Sequence, residues 1–304
     1  MSEYRYALTL VAVFVNVFFS DGVYMHDDNF TSDKTRGAGG KAADAKTCDY
    51  CGEYHGVVVR PDYILGEYPL EPCPKCVTPF CKCGGISPYY YFENDKTKDC
   101  HCRETRIRIE RIMNVYNHSG IEKKYKWRLL GEFKAKNQDG NKAKLEALKI
   151  VKQFPNVKKG LFLWGNPGTG KTLLSTMILT ELIFRQGVQG KFVKISRNFF
   201  GRLRETFNPA SPNYGRGDEM ERELHSVDVL VLDDVGVQKD SPWEQETLYN
   251  LIDARYESEK FTVFTSNNDP RKALTGLSQG RILSRLKEMC VIMEISGNDM
   301  RETL

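Results

Sequence analysis

The chain has 304 residues, 28% of them charged and 40% hydrophobic, with a formal net charge of +4. That makeup is an ordinary soluble protein's, with length for one core of moderate size and a smaller module, and it argues against a membrane-embedded chain. The charge is too mild to establish a nucleic-acid partner by itself.

From the N-terminus, Tyr6 to Phe19 reads YALTLVAVFVNVFF, an almost uninterrupted apolar run. It is short for a bilayer span. It also lacks the flanks of a secretory signal, with Arg5 balanced by Glu3 before it and Ser20-Asp21-Gly22 after it. Valines at 11, 13, 15 and 17 suit a strand, buried or touching a partner; a membrane or export signal and a misassigned start are the other readings. Residues 31–47, small and charged without apolar period, read as a linker, so 1–47 forms an apolar segment and linker.

Eight of the nine cysteines follow as Cys48-x-x-Cys51, Cys73-x-x-Cys76, Cys81-x-Cys83 and Cys100-x-Cys102. Spaced pairs in a reducing compartment favour metal over disulfides. Two tetrahedral Zn²⁺ sites, the first four cysteines and the last four, satisfy the spacing, with His55 or His101 able to replace a cysteine. No open three-ligand set suggests a catalytic zinc. A module of residues 48–102 is too small to fold on its own core, which gives structural zinc its purpose.

Residues 103–144 form a basic helical connector. Arg103 to Arg128 carries eight Lys/Arg against three Glu, and Ile109, Ile112, Met113 and Tyr116 share a helical face. A helix over 142–154 ends at Pro155. From 145 to 304 strands and helices alternate as in a parallel α/β sheet. The strand candidates are 161–164, 191–195, 228–232, 261–265 and 291–295. The helix candidates are 171–186, 197–207, 218–225, 242–259 and 279–288. The 242–259 helix has a start signal, with Ser241 as cap, Pro242 at the first position and Glu244 completing a capping box.

Within this core, Gly165-Asn166-Pro167-Gly168-Thr169-Gly170-Lys171-Thr172 is a complete phosphate loop between a strand and a helix. Its glycines let backbone N–H groups close on phosphates, Lys171 brings charge to the β/γ oxygens, and Thr172 offers a hydroxyl to Mg²⁺. ATP and Mg²⁺ are the expected cofactors, which places the chain in the cytoplasm. Downstream, Arg197, Phe199, Phe200, Arg202, Arg204, Phe207, Tyr214 and Arg216 interleave rings with cations. That pattern suits single-stranded DNA; the competing reading is a helix with its Phe residues in the core and its Arg residues in water. The apolar strand 229–232 ends in Asp233 and Asp234, the first expected to hold Mg²⁺ and the second to act as general base. A third strand ends in Ser266-Asn267-Asn268. Its amide can orient the attacking water.

This order of motifs resembles the AAA+ ATPases. Gly160 through Thr172, Leu232-Asp-Asp-Val-Gly236, Thr265-Ser-Asn-Asn268 and Arg281-Ile-Leu-Ser-Arg-Leu286 narrow the resemblance to the bacterial and phage helicase-loader branch, the DnaC/DnaI type. The resemblance implies a P-loop NTPase core with a parallel sheet and no C-terminal lid domain, Asn267 as sensor, Arg285 as an arginine finger acting on a neighbouring subunit, Arg281 as second candidate and Arg301 as terminal sensor. It also implies an ATP-dependent loader of the replicative DNA helicase that self-associates, contacts the helicase through the zinc module and holds single-stranded DNA on the core. A transposition helper acting on duplex DNA and a weakly hydrolysing adaptor are the alternatives. Asp234 stands where most of the superfamily has Glu, so slow hydrolysis is expected.

Overall fold

The computed structural model describes residues 48–60, 70–236, 241–273, 277–297 and 299. The apolar run at 6–19, the linker at 31–47 and Arg301 lie outside them. The chain divides into two units, one ending at Ile109 and the other running from Glu110, and each is taken by itself.

In the first unit, β1 (Val57–Val59) pairs with β2 (Leu70–Pro72), and β3 (Tyr90–Glu93) with β4 (Lys96–Asp99), both antiparallel. The second hairpin turns at Asn94-Asp95, whose φ values are 53° and 55°. A two-residue type I′ turn needs that left-handed backbone, and Asn and Asp tolerate it. The core here is largely sulfur: Cys48, Cys51, Cys73, Cys76, Cys100 and Cys102 are buried with Val58, Val77 and Tyr89. Helix α1 (Arg103–Asn117) starts directly after Cys102.

In the second unit, Ile112, Met113 and Tyr116 are buried, as the helical spacing predicts. Tyr116 packs on Trp127 at 4.4 Å and on Phe184 at 5.0 Å between ring centroids. Helix α2 (Gln138–Gln153) begins ahead of the predicted start because the Asn137 side chain caps it, accepting from the Gly140 N–H at 2.8 Å. There follow β5 (Gly160–Trp164), α3 (Lys171–Gln186), β6 (Gly190–Lys194), a π-helical turn over Ile195–Phe200, α4 (Gly201–Glu205), α5 (Gly217–Ser226), β7 (Val229–Asp233), α6 (Pro242–Glu257), β8 (Phe261–Ser266), α7 (Pro270–Ala273), α8 (Leu277–Met289) and β9 (Cys290–Glu294). Each strand starts and ends within a residue of its expected range. The five strands form one parallel sheet in the order β6-β7-β8-β5-β9. β8 therefore separates the strand before the phosphate loop from the strand that ends in Asp233.

Two expectations are corrected. The helix predicted over 197–207 opens as the π turn, which rotates the following residues off a plain 3.6 period. The capping box at 241–244 does not form. The Ser241 side chain makes no cap bond, and Glu244, 2% exposed, is ion-paired with Arg204. A buried carboxylate gains more from a cation than from a backbone N–H that water can serve.

Arg255 of α6 is 1% exposed. Its guanidinium donates to Thr262 Oγ1 at 2.8 Å and to the carbonyls of Leu224 (2.8 Å), Val227 (3.0 Å) and Phe261 (2.7 Å), joining the C-terminal end of α5 and the residue that follows it to the start of β8. Arg255→Met leaves those carbonyls buried without a donor and is expected to cost about 3–5 kcal/mol. Tryptophan fluorescence during urea unfolding reads the loss as a lower midpoint; an unchanged midpoint would show the guanidinium to be dispensable.

Candidate functional site

The carboxyl ends of the parallel strands share one edge, where α/β sheets bind ligands. Trp164 is in register with Ser266 and Glu294, and Lys194 with Asp233. Residues 165–170 leave β5 and turn into α3, with φ of 76° at Gly168 and 91° at Gly170, values that side chains resist. α3 then starts at Lys171, so its positive end faces the loop. Lys171 is 5% exposed, and its Nζ donates to the carbonyls of Gly165 at 2.8 Å and Asn166 at 2.7 Å. Thr169 Oγ1 closes the turn onto the Asn166 carbonyl at 3.0 Å.

Asp233 is fully buried. Its Oδ1 accepts from Thr172 Oγ1 at 2.8 Å and Thr265 Oγ1 at 2.6 Å. Its Oδ2 has no hydrogen-bond partner among the described residues. Burial pushes this carboxyl up, against the two hydroxyls that hold it down, and Asp234 adds to the rise. A buried carboxylate oxygen without a hydrogen bond, with a loop threonine hydroxyl on the other oxygen, is a donor set that fits a hard divalent cation.

Asp234 follows with φ of 61°, a left-handed backbone held by its N–H on Thr265 Oγ1 at 3.1 Å. Asp234 and Asn267 line a cleft of about 670 Å³ together with Pro167, Gly168, Gly170, Lys171 and Thr172. Lys124, Tyr125, Arg128 and Lys194 line it as well. A cleft of this volume, cationic and floored by a glycine loop, accommodates a nucleoside triphosphate. No motif in the sequence gives a role to Thr265, Lys194 or the 124–128 segment. Thr265 and Lys194 act through cross-strand register, which no local pattern carries.

The arginines lie elsewhere. Among the described residues neither Arg281 nor Arg285 lines this cleft. Arg281 is exposed. Arg285 is ion-paired with Asp253, and its guanidinium lies 5.2 Å and 5.5 Å from the ring centroids of Tyr249 and Tyr256. The ring-and-arginine stretch divides: Phe199 and Phe200 are buried in the core, whereas Phe207 and Tyr214 are 67% and 58% exposed. Arg202 and Arg204 are also exposed, and Arg204 and Phe207 both pack against Trp243. Arg216 is paired with Glu219. The side chain of Arg197 lies outside the described ones.

In the first unit, Cys48, Cys51, Cys73 and Cys76 form one group, and Cys81, Cys83, Cys100 and Cys102 another. Their Sγ atoms stand apart by 3.8 and 3.9 Å in the first group and 3.5 to 3.9 Å in the second. Zn–S bonds of 2.3 Å in a tetrahedron place sulfurs about 3.8 Å apart. Neither histidine joins a group; His101 Nε2 donates to the Cys76 carbonyl at 2.9 Å. Burial pushes the Cys100 thiol up, but backbone N–H groups, among them Lys82 N–H at 3.2 Å, outweigh it and hold the thiol at about 6. A sulfur so placed is ready to bind metal as thiolate.

Residues 101–303 match the family described as IstB-like ATP binding protein. The replicative helicase loader DnaC of Escherichia coli (strain K12) is 27% identical over 187 residues, spanning 60% of this chain and 73% of that protein. The uncharacterized protein YdaV of the same strain is 25% identical over 191 residues, spanning 63% and 73%. The crystal structure of the DnaC helicase loader superposes with a TM-score of 0.51 at 26% identity, covering 57% of this chain and 99% of that one. A putative primosome component from Streptococcus pyogenes serotype M3 shares the fold, with a TM-score of 0.50 at 23% identity over 62% and 97% of the two chains. The family match begins beyond all but the last of the clustered cysteines.

The sulfur groups give a direct expectation. Protein purified under reducing conditions releases two Zn²⁺ per chain when its thiols are titrated with a mercurial, and Cys73→Ser or Cys81→Ser lowers the count to about one. A wild-type count of zero after growth in zinc-replete medium would remove the metal from both groups.

Proposed function

The chain belongs to the family of IstB-like ATP binding proteins and is an AAA+ ATPase of the helicase-loader type, and on that footing we propose that it loads the replicative DNA helicase onto single-stranded DNA in an ATP-dependent step. The observation that carries the proposal is the meeting of Lys171, Thr172, Asp233, Asp234 and Asn267 at one sheet edge. The helicase partner is brought over from relatives whose names carry that role.

In this reading Lys171 leaves the loop carbonyls for the β/γ oxygens, and the loop amides with the start of α3 bind the remaining phosphate charge. Thr172 and Asp233 would hold Mg²⁺, which would supply neutralisation of phosphate charge. Asn267 orients a water against the γ-phosphate, and the Asp234 carboxylate takes its proton. An aspartate reaches less far than a glutamate, so turnover is slow. Arg285 completes the site of an adjacent subunit, which requires it to leave Asp253. The zinc-bearing module of residues 48–102 contacts the helicase, the 103–144 segment connects it, and residues 145–304 form the ATPase.

Single-stranded DNA is assigned to the exposed rings of Phe207 and Tyr214 beside Arg202 and Arg204. Base stacking on an aromatic side chain contributes about 1–3 kcal/mol. Phe207→Ala is therefore expected to raise the Kd for an oligo(dT) by about five- to 150-fold at fixed salt, in fluorescence anisotropy, without changing ATP affinity. Equal loss of duplex binding would point to a sequence-independent charge effect instead.

The direct test is helicase loading. With ATP, the purified chain is expected to raise the amount of hexameric helicase bound to a single-stranded circle, and Arg285→Ala to abolish the effect while leaving binding of a fluorescent ATP analogue within about twofold. The same substitution lowers assembly-dependent ATPase by at least about 10²-fold, below the usual share of an arginine finger because the starting rate is slow. Loading unaffected by the chain would sink the proposal.

A further inference from the structure

Lys194 ends β6 directly in register with Asp233, the last residue of β7. Registered residues of parallel strands project to the same face. The Lys194 Nζ lies 4.0 Å from Asp233 Oδ2, the oxygen without a hydrogen-bond partner, and 3.2 Å from Glu122 Oε1. Glu122 is anchored independently of Lys194. Phe192 N–H donates to the Ser119 carbonyl at 2.7 Å, and a Cβ on Gly120 would stand 2.6 Å from the Phe192 carbonyl, so the segment before Glu122 lies tight against the edge strand. The other Glu122 oxygen pairs with Lys124 at 3.3 Å. The lysine is therefore shared between a carboxylate in the nucleotide site and one fixed on the sheet edge. Its own side chain is 23% exposed and lines the nucleotide cleft.

We infer that Lys194 is a positioning residue that competes with Mg²⁺ for the Asp233 carboxylate, and that Glu122 sets the strength of this competition by drawing the ammonium away. The inference rests on the reading of Asp233 as the metal-binding carboxylate. Lys194 keeps the buried carboxylate compensated when no divalent ion is near, since an isolated buried charge is costly. When the metal arrives, two cations share one carboxylate, and Glu122 supplies the alternative partner that lets the lysine withdraw. The nucleotide site and the segment Ser119–Tyr125 are thereby coupled through one side chain.

The quantity to measure is the benefit that Mg²⁺ brings to nucleotide binding: the Kd of mant-ATP in EDTA divided by its Kd in saturating Mg²⁺, by fluorescence titration of the full chain. Lys194→Ala removes the competitor and raises this ratio by about three- to fivefold, the scale of a partly solvated ion pair. Glu122→Gln frees the lysine toward Asp233 and lowers the ratio by a similar factor. Lys194→Arg keeps the charge and stays near wild type, and the double variant behaves as Lys194→Ala, because Glu122 acts through the lysine. Shifts of the same sign in Lys194→Ala and Glu122→Gln, or no shift in either, overturn the inference, since a purely structural loss moves both alike. A wild-type ratio of one, with Asp233→Ala equally indifferent to Mg²⁺, overturns instead the metal reading of Asp233 on which the inference stands.

Discussion

The carboxylate of Asp233 is the tie on which the nucleotide site depends. One oxygen receives hydroxyls from Thr172 at the start of α3 and from Thr265 near the end of β8, so a single buried atom fixes the phosphate-loop helix against two strands. Thr265 also receives the Asp234 N–H, which holds that residue at a φ of 61°, where it lines the cleft. A left-handed aspartate costs about 1–3 kcal/mol and persists only where its surroundings over-determine it. Here they do, because the strand carrying Thr265 lies between the two strands that bear the loop and the aspartates. The topology and the chemistry are one constraint.

The first unit is organised by a different principle. Its described strands are short, and cysteines make up about half of its buried residues. So little apolar surface cannot offset the entropy of ordering the chain. Structural zinc contributes about 10–16 kcal/mol in small zinc-binding peptides, comparable to the whole stability of a typical domain. The spacing of sulfurs at 3.5 to 3.9 Å belongs to ligands around a common centre and not to bonded pairs. Exposed Ile86 and Phe92, at 73% and 80%, show how few apolar side chains this unit is able to enclose.

What could be read from the sequence was what is contiguous in it. The phosphate loop, the strand ending in Asp233 and Asp234, and the cysteine pairs are local patterns, and strand ends fell within a residue of expectation because short β-branched and aromatic runs are bounded by polar residues. Thr265 and Lys194 carry no local signal because their contacts come from strand order. The chain runs β5, β6, β7, β8, whereas the sheet runs β6-β7-β8-β5. The interleaved rings and arginines could not be assigned while the π turn at 195–200 was unknown, since an extra residue in a helical turn rotates every later side chain. Phe199 and Phe200 end that turn and are buried, whereas Phe207 lies beyond the end of α4 and is exposed. At Glu244 a correct local rule lost to burial: the residue type suited a capping box, but the helix face placed it against Arg204.

Arg285 joins these threads. Its partners within the chain are Asp253 and the faces of Tyr249 and Tyr256, all on α6. Such a setting holds the guanidinium where it rests by a surface-type ion pair and two ring contacts, each of them weak in a solvated place. A nucleotide γ-phosphate presented by another subunit offers a denser negative charge in a drier place, where bidentate donation from arginine is stronger. The proposed trans role would exchange these contacts for that phosphate. Under the proposed trans role of Arg285, the chain would carry most of its nucleotide site within itself and take the last charge from a neighbour, so that hydrolysis would follow assembly and not nucleotide binding alone.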